Sequence, residues 1–341
     1  MAAVGGSRRA RFVVGTGRCG STLLSKMLAQ NAEVLSLFEF FSGIDQFFRF
    51  RSDPVGGDEL ALRLTEDHPM LTAVLKRGYE VPEVVYPFDD PTARYARADP
   101  IPWTLAIAVA RVSDTPDALF AEMLDAARAQ PQQTLDRHYR QLLDWLTRRT
   151  GKSIWIERSG SSMDYTHSLK DFFPDARFVH LFRNGRETAL SMREYAVLRL
   201  AVPVMNGLLG EVEYSHDGLV EFERRNAIAI DETLASRPPI ELYGAYWSQH
   251  IEAGVAALSQ VEARDVLHVR FETLVSQPQP VMREIAAFLE IPRSDADWLE
   301  RACALVRGLP PTRFDALSPA EQERLEAACR PGMTLLEKLP C

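Results

Sequence analysis

The chain has 341 residues, of which 46% are hydrophobic and 25% are charged, and these values are ordinary for a folded protein. They exclude a disordered, collagen-like or coiled-coil chain. The formal net charge of −8, from 39 basic and 47 acidic residues, argues against bulk affinity for nucleic acid or for an anionic membrane. The longest apolar run, 104–110, is far shorter than the roughly 20 residues of a transmembrane helix, so no membrane span is predicted.

The two ends of the sequence and its cysteines predict a cytoplasmic protein. The basic residues within 1–11 are not followed by an apolar segment, so we expect no secretory signal. The last residue, Cys341, does not fit the prenylation pattern. The other cysteines are Cys19, Cys303 and Cys329, and none has the Cys-x-x-Cys spacing. No disulfide framework is needed, which is consistent with a reducing compartment.

Short apolar runs rich in β-branched or aromatic residues predict five strands: 12–14, 34–37, 154–156, 178–182 and 266–271. Helical periodicity lies beside most of them. Short apolar strands that alternate with helices are typical of a parallel sheet covered by helices on both faces. We therefore predict an α/β fold, and in such folds ligands bind at the carboxyl ends of the strands.

Two stretches fit this alternation poorly. Segment 43–149 contains helical pieces at 117–130 and 135–149, and segment 196–242 is irregular. We interpret both as helical or irregular insertions that cap the sheet and form the acceptor site within one domain, 1–341. The predicted core of that domain has three parts: 10–42, 150–195 and 243–335. The alternative for the first insertion is a separate helical domain with no role at the site.

A glycine-rich loop follows the first predicted strand. Its glycines allow positive φ and a close approach of the backbone to a ligand: Gly15, Gly17 and Gly20. Ser21 and Thr22 add hydroxyl donors at the start of the next helix, whose N-terminus completes a nest for an anion. The spacing is that of a Walker A loop, except that Ser21 stands where that loop has Lys. Arg18 is the only cation in the loop. We interpret it as a phosphate loop with its charge relocated; the alternative is a plain glycine-rich turn.

A second basic position ends the fourth predicted strand. Arg183 follows 178–182, residues 184–185 make the turn, and Ser191 lies on the next helix. An arginine at a strand end can bind a phosphate, and a serine can add a hydroxyl donor. The residues alone leave open that Arg183 pairs with a surface acid and that Ser191 merely packs. A P-loop kinase would have an aspartate at the strand end to hold Mg²⁺.

One carboxylate lies among apolar residues just after the second predicted strand. Glu39 stands between Phe38 and Phe40, and apolar surroundings can tune a carboxyl group to act as a general base. We expect it beside the glycine-rich loop, because the second strand neighbours the first in such sheets. The alternative is a glutamate that faces solvent from the end of a buried strand, and physical chemistry alone does not decide between them.

The two loops together resemble those of the bacterial-type sulfotransferases that use 3′-phosphoadenosine 5′-phosphosulfate (PAPS), which have a P-loop-like fold. The 5′-phosphosulfate loop of that family has the form [Arg/Lys]-[Ser/Cys]-Gly-[Ser/Thr]-Thr, which 18–22 matches. The 3′-phosphate motif has an arginine after a strand and a serine eight residues later, as Arg183 and Ser191 do. Bacterial members carry Glu-Phe-Phe at the position of Glu39, where the glutamate is the base. Many cytosolic relatives use a histidine instead, but the candidate here, His167, lies outside the matching position.

Weaker matches accompany these motifs. Arg158 and Ser159 stand where the family has a strand-end pair that touches the sulfonate, although Gly160 replaces a common proline. Arg307 and Arg313 fall in the region that returns to the 3′-phosphate in relatives.

The resemblance implies transfer of a sulfonate group from PAPS to a hydroxyl of a small-molecule acceptor (a natural product, lipid or sugar) by in-line displacement and without a metal. It implies three catalytic residues: Glu39, Arg18 and Arg158. It also implies a set of residues that bind the donor: Gly17, Arg18, Cys19, Gly20, Ser21, Thr22, Arg183, Ser191 and Arg313. Two alternatives stay open, a P-loop kinase-like phosphotransferase that binds Mg²⁺–ATP and a non-catalytic nucleotide-binding protein.

Overall fold

The computed structural model describes residues 9–293 and 295–340. Most of the basic N-terminal segment and Cys341, on which the predictions about signals rest, lie outside the described residues. Five strands form one sheet: β1 (Arg11–Val14), β2 (Val34–Phe38), β3 (Ile154–Arg158), β4 (Arg177–Phe182) and β5 (Val266–Arg270). All neighbouring strands are parallel, in the order β2-β3-β1-β4-β5. The predicted α/β class with a parallel sheet is therefore confirmed.

Fifteen α-helices surround the sheet within the described ranges: α1 (Ser21–Leu28), α2 (Gly57–Leu64), α3 (Pro69–Lys76), α4 (Pro116–Arg128), α5 (Leu135–Arg149), α6 (Thr166–Phe172), α7 (Gly185–Glu194), α8 (Ala196–Met205), α9 (His216–Arg225), α10 (Ala227–Ala235), α11 (Ile240–Leu258), α12 (Phe271–Ser276), α13 (Pro278–Phe288), α14 (Trp298–Ala304) and α15 (Pro319–Leu336). A buried π-helix spans Thr104–Val109. Short 3₁₀ turns lie at Ser162–Tyr165, Ala263–Asp265 and Phe314–Ala316. None of the helices in this part of the chain is both long and apolar enough to cross a membrane.

Alternate residues of β1 pack into two different cores, as the pleat of a strand requires. Phe12 and Val14 belong to a core that includes the helices of segment 43–149, whereas Val13 packs with Leu24 of α1 and Met282 of α13. The sheet is thus covered on both faces. Phe12 lies in a cluster of aromatic rings at centroid distances of 5.1 to 6.2 Å: Phe41, Trp155, Phe173 and Phe178.

The two insertions are more helical than their sequence indicates. Segment 43–149 forms α2 to α5, and its buried residues, such as Leu60 and Leu142, share one continuous core with Phe12 of the sheet. This packing favours a single domain, which stays a prediction. Segment 196–242, interpreted above as a helical or irregular insertion, forms α8, α9, α10 and the start of α11. Some of its apolar residues are buried at helical spacing, as Ile230 and Leu234 of α10 are.

The prediction that the second strand lies beside the first is wrong. β3 lies between them, with Phe38 of β2 opposite Arg158 and Phe12 of β1 opposite Glu157. The whole of segment 43–149 connects β2 to β3, and this length allows β3 to enter the sheet between β2 and β1. Strands that are consecutive in sequence neighbour each other only about two-thirds of the time. As a result, the carboxyl end of β3 separates the glycine-rich loop from Glu39.

Candidate active site

A cavity of about 490 Å³ opens at the carboxyl ends of β1, β2, β3 and β4. This volume lies within the range of about 300–1000 Å³ that is usual for ligand sites. Each strand end contributes to the lining: Gly17, Arg18, Gly20, Ser21 and Thr22 follow β1, Glu39 follows β2, Arg158 and Gly160 come from β3, and Arg183 follows β4. The location is the one expected for a parallel sheet, and most of the predicted site residues meet there.

The glycine-rich loop has the backbone that a phosphate loop needs. Gly17 has φ 76°, and Gly20 has φ 94° where it caps α1. A side chain at Gly20 would collide with the ring of Phe271, because a Cβ would lie 2.1 Å from its Cδ2 atom. Arg18 also lies in the left-handed region at φ 55°. Such a conformation at a non-glycine residue costs about 1–3 kcal/mol and is concentrated at functional sites.

Arg18 connects the two predicted phosphate loops to the first insertion. Its Nε donates to Ser191 Oγ over 3.3 Å, and its Nη1 donates to Glu83 Oε1 over 3.1 Å. The guanidinium lies 4.7 Å from the centroid of the Tyr195 ring. Sequence reasoning missed Glu83, since nothing in segment 43–149 matches a motif that would single it out.

Glu39 forms a buried ion pair with Arg158. Arg158 Nη1 donates to Glu39 Oε1, and the backbone N–H of Gly160 donates to Oε2 over 2.8 Å. Glu39 has φ 51°, and its carbonyl oxygen accepts from Trp103 Nε1 over 2.7 Å. The carboxylate therefore faces polar partners and not the apolar surroundings expected from the sequence, because β3 brings Arg158 between the loops that follow β1 and β2.

The departure at Gly160 from the usual proline now has a structural reason. Proline has no backbone N–H, so it could not donate to Glu39 as Gly160 does. The position also lies close to the carboxylate, since a Cβ on Gly160 would be 2.9 Å from Glu39 Oε1. Gly160 thus serves as a direct partner of Glu39.

A second buried carboxylate supports the first. Glu157 accepts from Ser159 Oγ over 2.6 Å and from the backbone N–H of Phe40 over 3.2 Å. Burial raises the pKa of Glu157 to about 7, against the lowering effect of its hydrogen bond with Ser159. Glu157 therefore fixes the residues on either side of the Glu39–Arg158 pair, and the hydroxyl of Ser159 is already engaged.

Arg183 faces the cavity without an acidic partner. Among the described residues none places a carboxylate within ion-pairing distance of it, and its guanidinium lies 5.1 Å from the centroid of the Phe271 ring. Burial, together with the charge of Arg313, lowers the pKa of Arg183. Asn184 caps α7 with its side chain, and its backbone N–H donates to Glu272 Oε1 over 3.0 Å. The loop thus presents to the cavity a cation that forms no direct ion pair within the described residues, although the charges of Glu187 and Glu272 act on it from further away.

Several predicted residues do not face the cavity. The side chain of Cys19 is buried in the core under α1. Arg313 pairs with Glu187, at 3.3 Å from Nε to Oε2, and His167 is exposed on α6. Arg307 is exposed in the loop after α14. In the part of the chain that the structure describes, no three or more His, Cys, Asp or Glu residues are grouped so that they could hold a metal ion.

A sequence model of the sulfotransferase family matches residues 11–225 and 226–295. The chain belongs to the sulfotransferase family. The resemblance drawn from the two loops is confirmed at this level, and sulfonate transfer is the general reaction class of the enzyme. A comparison with curated proteins found no match.

Solved structures with a similar fold are also bacterial sulfotransferases. The sulfotransferase domain of the curacin biosynthetic pathway is 14% identical, with a TM-score of 0.49 over 98% of this chain and 100% of that one. The domain of the Synechococcus PCC 7002 olefin synthase is 15% identical, with a TM-score of 0.47 over 98% and 96%. STF9 from Mycobacterium avium is 17% identical, with a TM-score of 0.47 over 98% and 77%. At TM-scores below 0.5 these similarities add nothing to the assignment, which rests on the family match.

The substitution Glu157→Gln tests whether burial raises the pKa of Glu157. The folded state favours the neutral acid, so the stability that Glu157 contributes is present below about pH 4.5 and is lost as the pH rises through 7. The amide does not titrate. We expect the free energy of unfolding of the variant, relative to the wild-type enzyme, to increase by up to ~3 kcal/mol between these pH values. Urea denaturation across the pH range measures this, and a difference independent of pH would contradict it.

Proposed function

We propose that this sulfotransferase transfers a sulfonate group from PAPS to a hydroxyl of a small-molecule acceptor, with Glu39 as the general base. The observation that carries the proposal is the shared cavity. Arg183, Arg18 and the N-terminus of α1 line one part of it, and the Glu39–Arg158 pair lies in the lining beside them. Cations and backbone N–H groups favour a doubly phosphorylated nucleotide there.

The residues present fit such a donor. Arg183 lines the cavity and is 9% exposed, and none of the described acidic groups neutralises it at ion-pairing distance. Arg183 and Ser191 would hold the 3′-phosphate, the group that distinguishes PAPS from ATP. The backbone of 17–22, with the hydroxyls of Ser21 and Thr22, would hold the 5′-phosphosulfate. When bound, PAPS would supply a sulfonate group that is activated as a phosphosulfate anhydride.

The proposed reaction is a single displacement at sulfur. The oxygen of the acceptor hydroxyl forms a bond to sulfur as the bond from sulfur to the 5′-phosphate oxygen breaks, leaving adenosine 3′,5′-bisphosphate. Glu39 takes the proton of the hydroxyl. Arg158 steadies the charge on the sulfonate, and Arg18 neutralises the charge that develops on the leaving phosphate. Positioning and charge stabilisation supply most of the acceleration in such a reaction.

Binding of adenosine 3′,5′-bisphosphate tests the assignment of the donor. We expect the wild-type enzyme to prefer it to ADP and to Mg²⁺–ATP in calorimetric titrations. The variant Arg183→Ala should bind it at least about tenfold more weakly, because it loses a charge-assisted contact of roughly 1.5–3 kcal/mol.

The matched control is Arg186→Ala. Arg186 lies three residues further on and pairs with Glu326, at 2.9 Å from Nη1 to Oε2, and does not line the cavity. The Arg186→Ala variant should bind adenosine 3′,5′-bisphosphate with nearly the same affinity as the wild-type enzyme. A preference for Mg²⁺–ATP would favour a P-loop kinase instead. If the enzyme bound none of the three nucleotides, a nucleotide donor would be refuted.

The contact between Glu83 and Arg18 generates a separate prediction. In this structure Glu83 engages the arginine that would face the leaving phosphate, and Glu83 itself is largely buried in the cavity wall. A carboxylate at this position repels an anionic donor and competes with it for Arg18. Glu83→Gln should therefore bind the bisphosphate about fivefold more tightly, which corresponds to ~1 kcal/mol. Weaker binding in the same titration would show instead that Glu83 orients Arg18 for the donor.

A further inference from the structure

A second arginine lines the cavity without an acidic partner. Arg49 lies in the first insertion and is 9% exposed. Within the described ranges no carboxylate comes within ion-pairing distance of its guanidinium, and its buried Nε has no hydrogen-bond partner. Arg183, the residue assigned above to a phosphate, likewise has no acidic partner.

The side chain of Arg49 is held in place by its own neighbours. Its Nη1 donates to the carbonyl oxygen of Phe41 over 3.0 Å, and its guanidinium lies 4.1 Å from the centroid of the Tyr165 ring. The backbone is fixed as well, because the Arg49 N–H donates to the Asp45 carbonyl and its carbonyl accepts from the buried Tyr139 hydroxyl, both over 2.8 Å. These contacts leave most of the five N–H donors of the guanidinium unused.

Three acidic residues that line the cavity together with Arg49 already have partners. Asp45 accepts from the backbone N–H groups at the start of its own turn, 47–48. Glu66 pairs with Arg63, at 2.6 Å from Nη1 to Oε1. Asp67 accepts from His216 over 2.8 Å and also from Thr72. None of these three carboxylates is therefore paired with Arg49.

The neighbouring histidine does not change this balance. Burial lowers the pKa of His68 to about 4, and the nearby charge of Arg49 acts in the same direction. His68 is thus neutral at physiological pH and packs against Trp103, at a centroid distance of 5.1 Å. Burying a cation without a counter-ion is costly. An anionic group on a ligand would supply the counter-charge for Arg49.

Much of the remaining lining of the cavity is apolar, although Gln46 and Tyr214 also contribute to it. The apolar residues come from the turn after Glu39 and from α3, α8 and α9: Ile44, Met70, Val197, Ala201, Val204 and Leu219. Arg49 is bonded to the carbonyl oxygen of Phe41, two residues beyond Glu39, and Arg49 and Glu39 line the same cavity.

We propose that Arg49 binds an oxyanion, such as a carboxylate, on an otherwise apolar acceptor, and so determines which hydroxyl compounds the enzyme accepts. This inference rests on the proposed function for its biological meaning, but the binding site it describes is tested independently of turnover. Arg49 acts here as a specificity residue and takes no part in bond formation.

The test is a calorimetric titration of octanoate and of octanamide, which have the same chain but differ in charge, into enzyme saturated with adenosine 3′,5′-bisphosphate. The wild-type enzyme should bind octanoate about tenfold more tightly than octanamide, and Arg49→Gln should lose that preference while its affinity for octanamide is kept. Arg51→Gln is the matched control, since Arg51 lies two residues away, pairs with Asp53 and Glu59, and does not line the cavity. Octyl phosphate in parallel tells which oxyanion is preferred.

Three results would overturn the proposal: no binding of octanoate, equal binding of octanoate and octanamide by the wild-type enzyme, or an undiminished preference in Arg49→Gln. If that variant does not fold, Arg49→Lys decides. It keeps the charge but lacks the planar pair of donors, so the preference should fall several-fold, and an unchanged preference would contradict the assignment. Failure of the bisphosphate to bind would count against the donor assignment alone, because octanoate and octanamide can then be titrated into the enzyme without it.

Discussion

The buried ion pair between Glu39 and Arg158 is the interaction on which the site depends. Removing two charges from water is costly, and the pair is tolerated only when further hydrogen bonds complete it. Here Gly160 donates to the carboxylate, while Arg158 also donates to Ser25 over 3.3 Å and to Thr22 over 3.4 Å. Glu39 follows β2, Arg158 ends β3, and Ser25 and Thr22 lie on α1. The pair therefore joins the start of α1, the end of β2 and the end of β3 into one unit.

The first insertion, 43–149, adds side chains to the site that the strand ends form. Its Trp103 donates to the backbone of Glu39, its Glu83 engages Arg18, and its Arg49 is bonded to the turn that follows Glu39. The strand ends thus contribute Arg18, Arg158 and Arg183 to the cavity, and helices of both insertions contribute much of its apolar lining. Under the proposed function, the acceptor would be selected by residues outside the family motifs.

The sequence predicted the elements with a local signature. All five strands appear within one or two residues of the predicted bounds, because each is a short apolar run that is buried in the sheet. The glycine-rich loop and Arg183 could be singled out because their spacing resembles the motifs of the sulfotransferase family; their role in binding phosphate stays a prediction. The individual helices of 196–242 were not predicted, because they are short and some of their apolar residues, such as Met205 and Ile228, are exposed, so no single buried face stands out.

Other features depend on contacts that no local pattern records. The position of β3 between β2 and β1 is decided by a connection of more than one hundred residues, and it determines the polar environment of Glu39. Glu83 lies 65 residues from Arg18 in sequence, and Trp103 lies 64 from Glu39. In the sequence Arg49 lies among aromatic residues and has no distinguishing motif. Only the structure shows that it lines the cavity without a direct ion pair in the described residues.

The most direct test of the account is the rate at which Glu39→Gln releases adenosine 3′,5′-bisphosphate from PAPS, measured with the acceptor that the wild-type enzyme uses best. The amide can still accept a hydrogen bond from Arg158 but cannot take the proton of a hydroxyl. The account predicts a loss of about 10²–10⁴-fold in kcat, with the affinity for the bisphosphate kept within about threefold, less than ~1 kcal/mol. A variant that folds, binds the bisphosphate and turns over at the wild-type rate would contradict the assignment of Glu39 as the base.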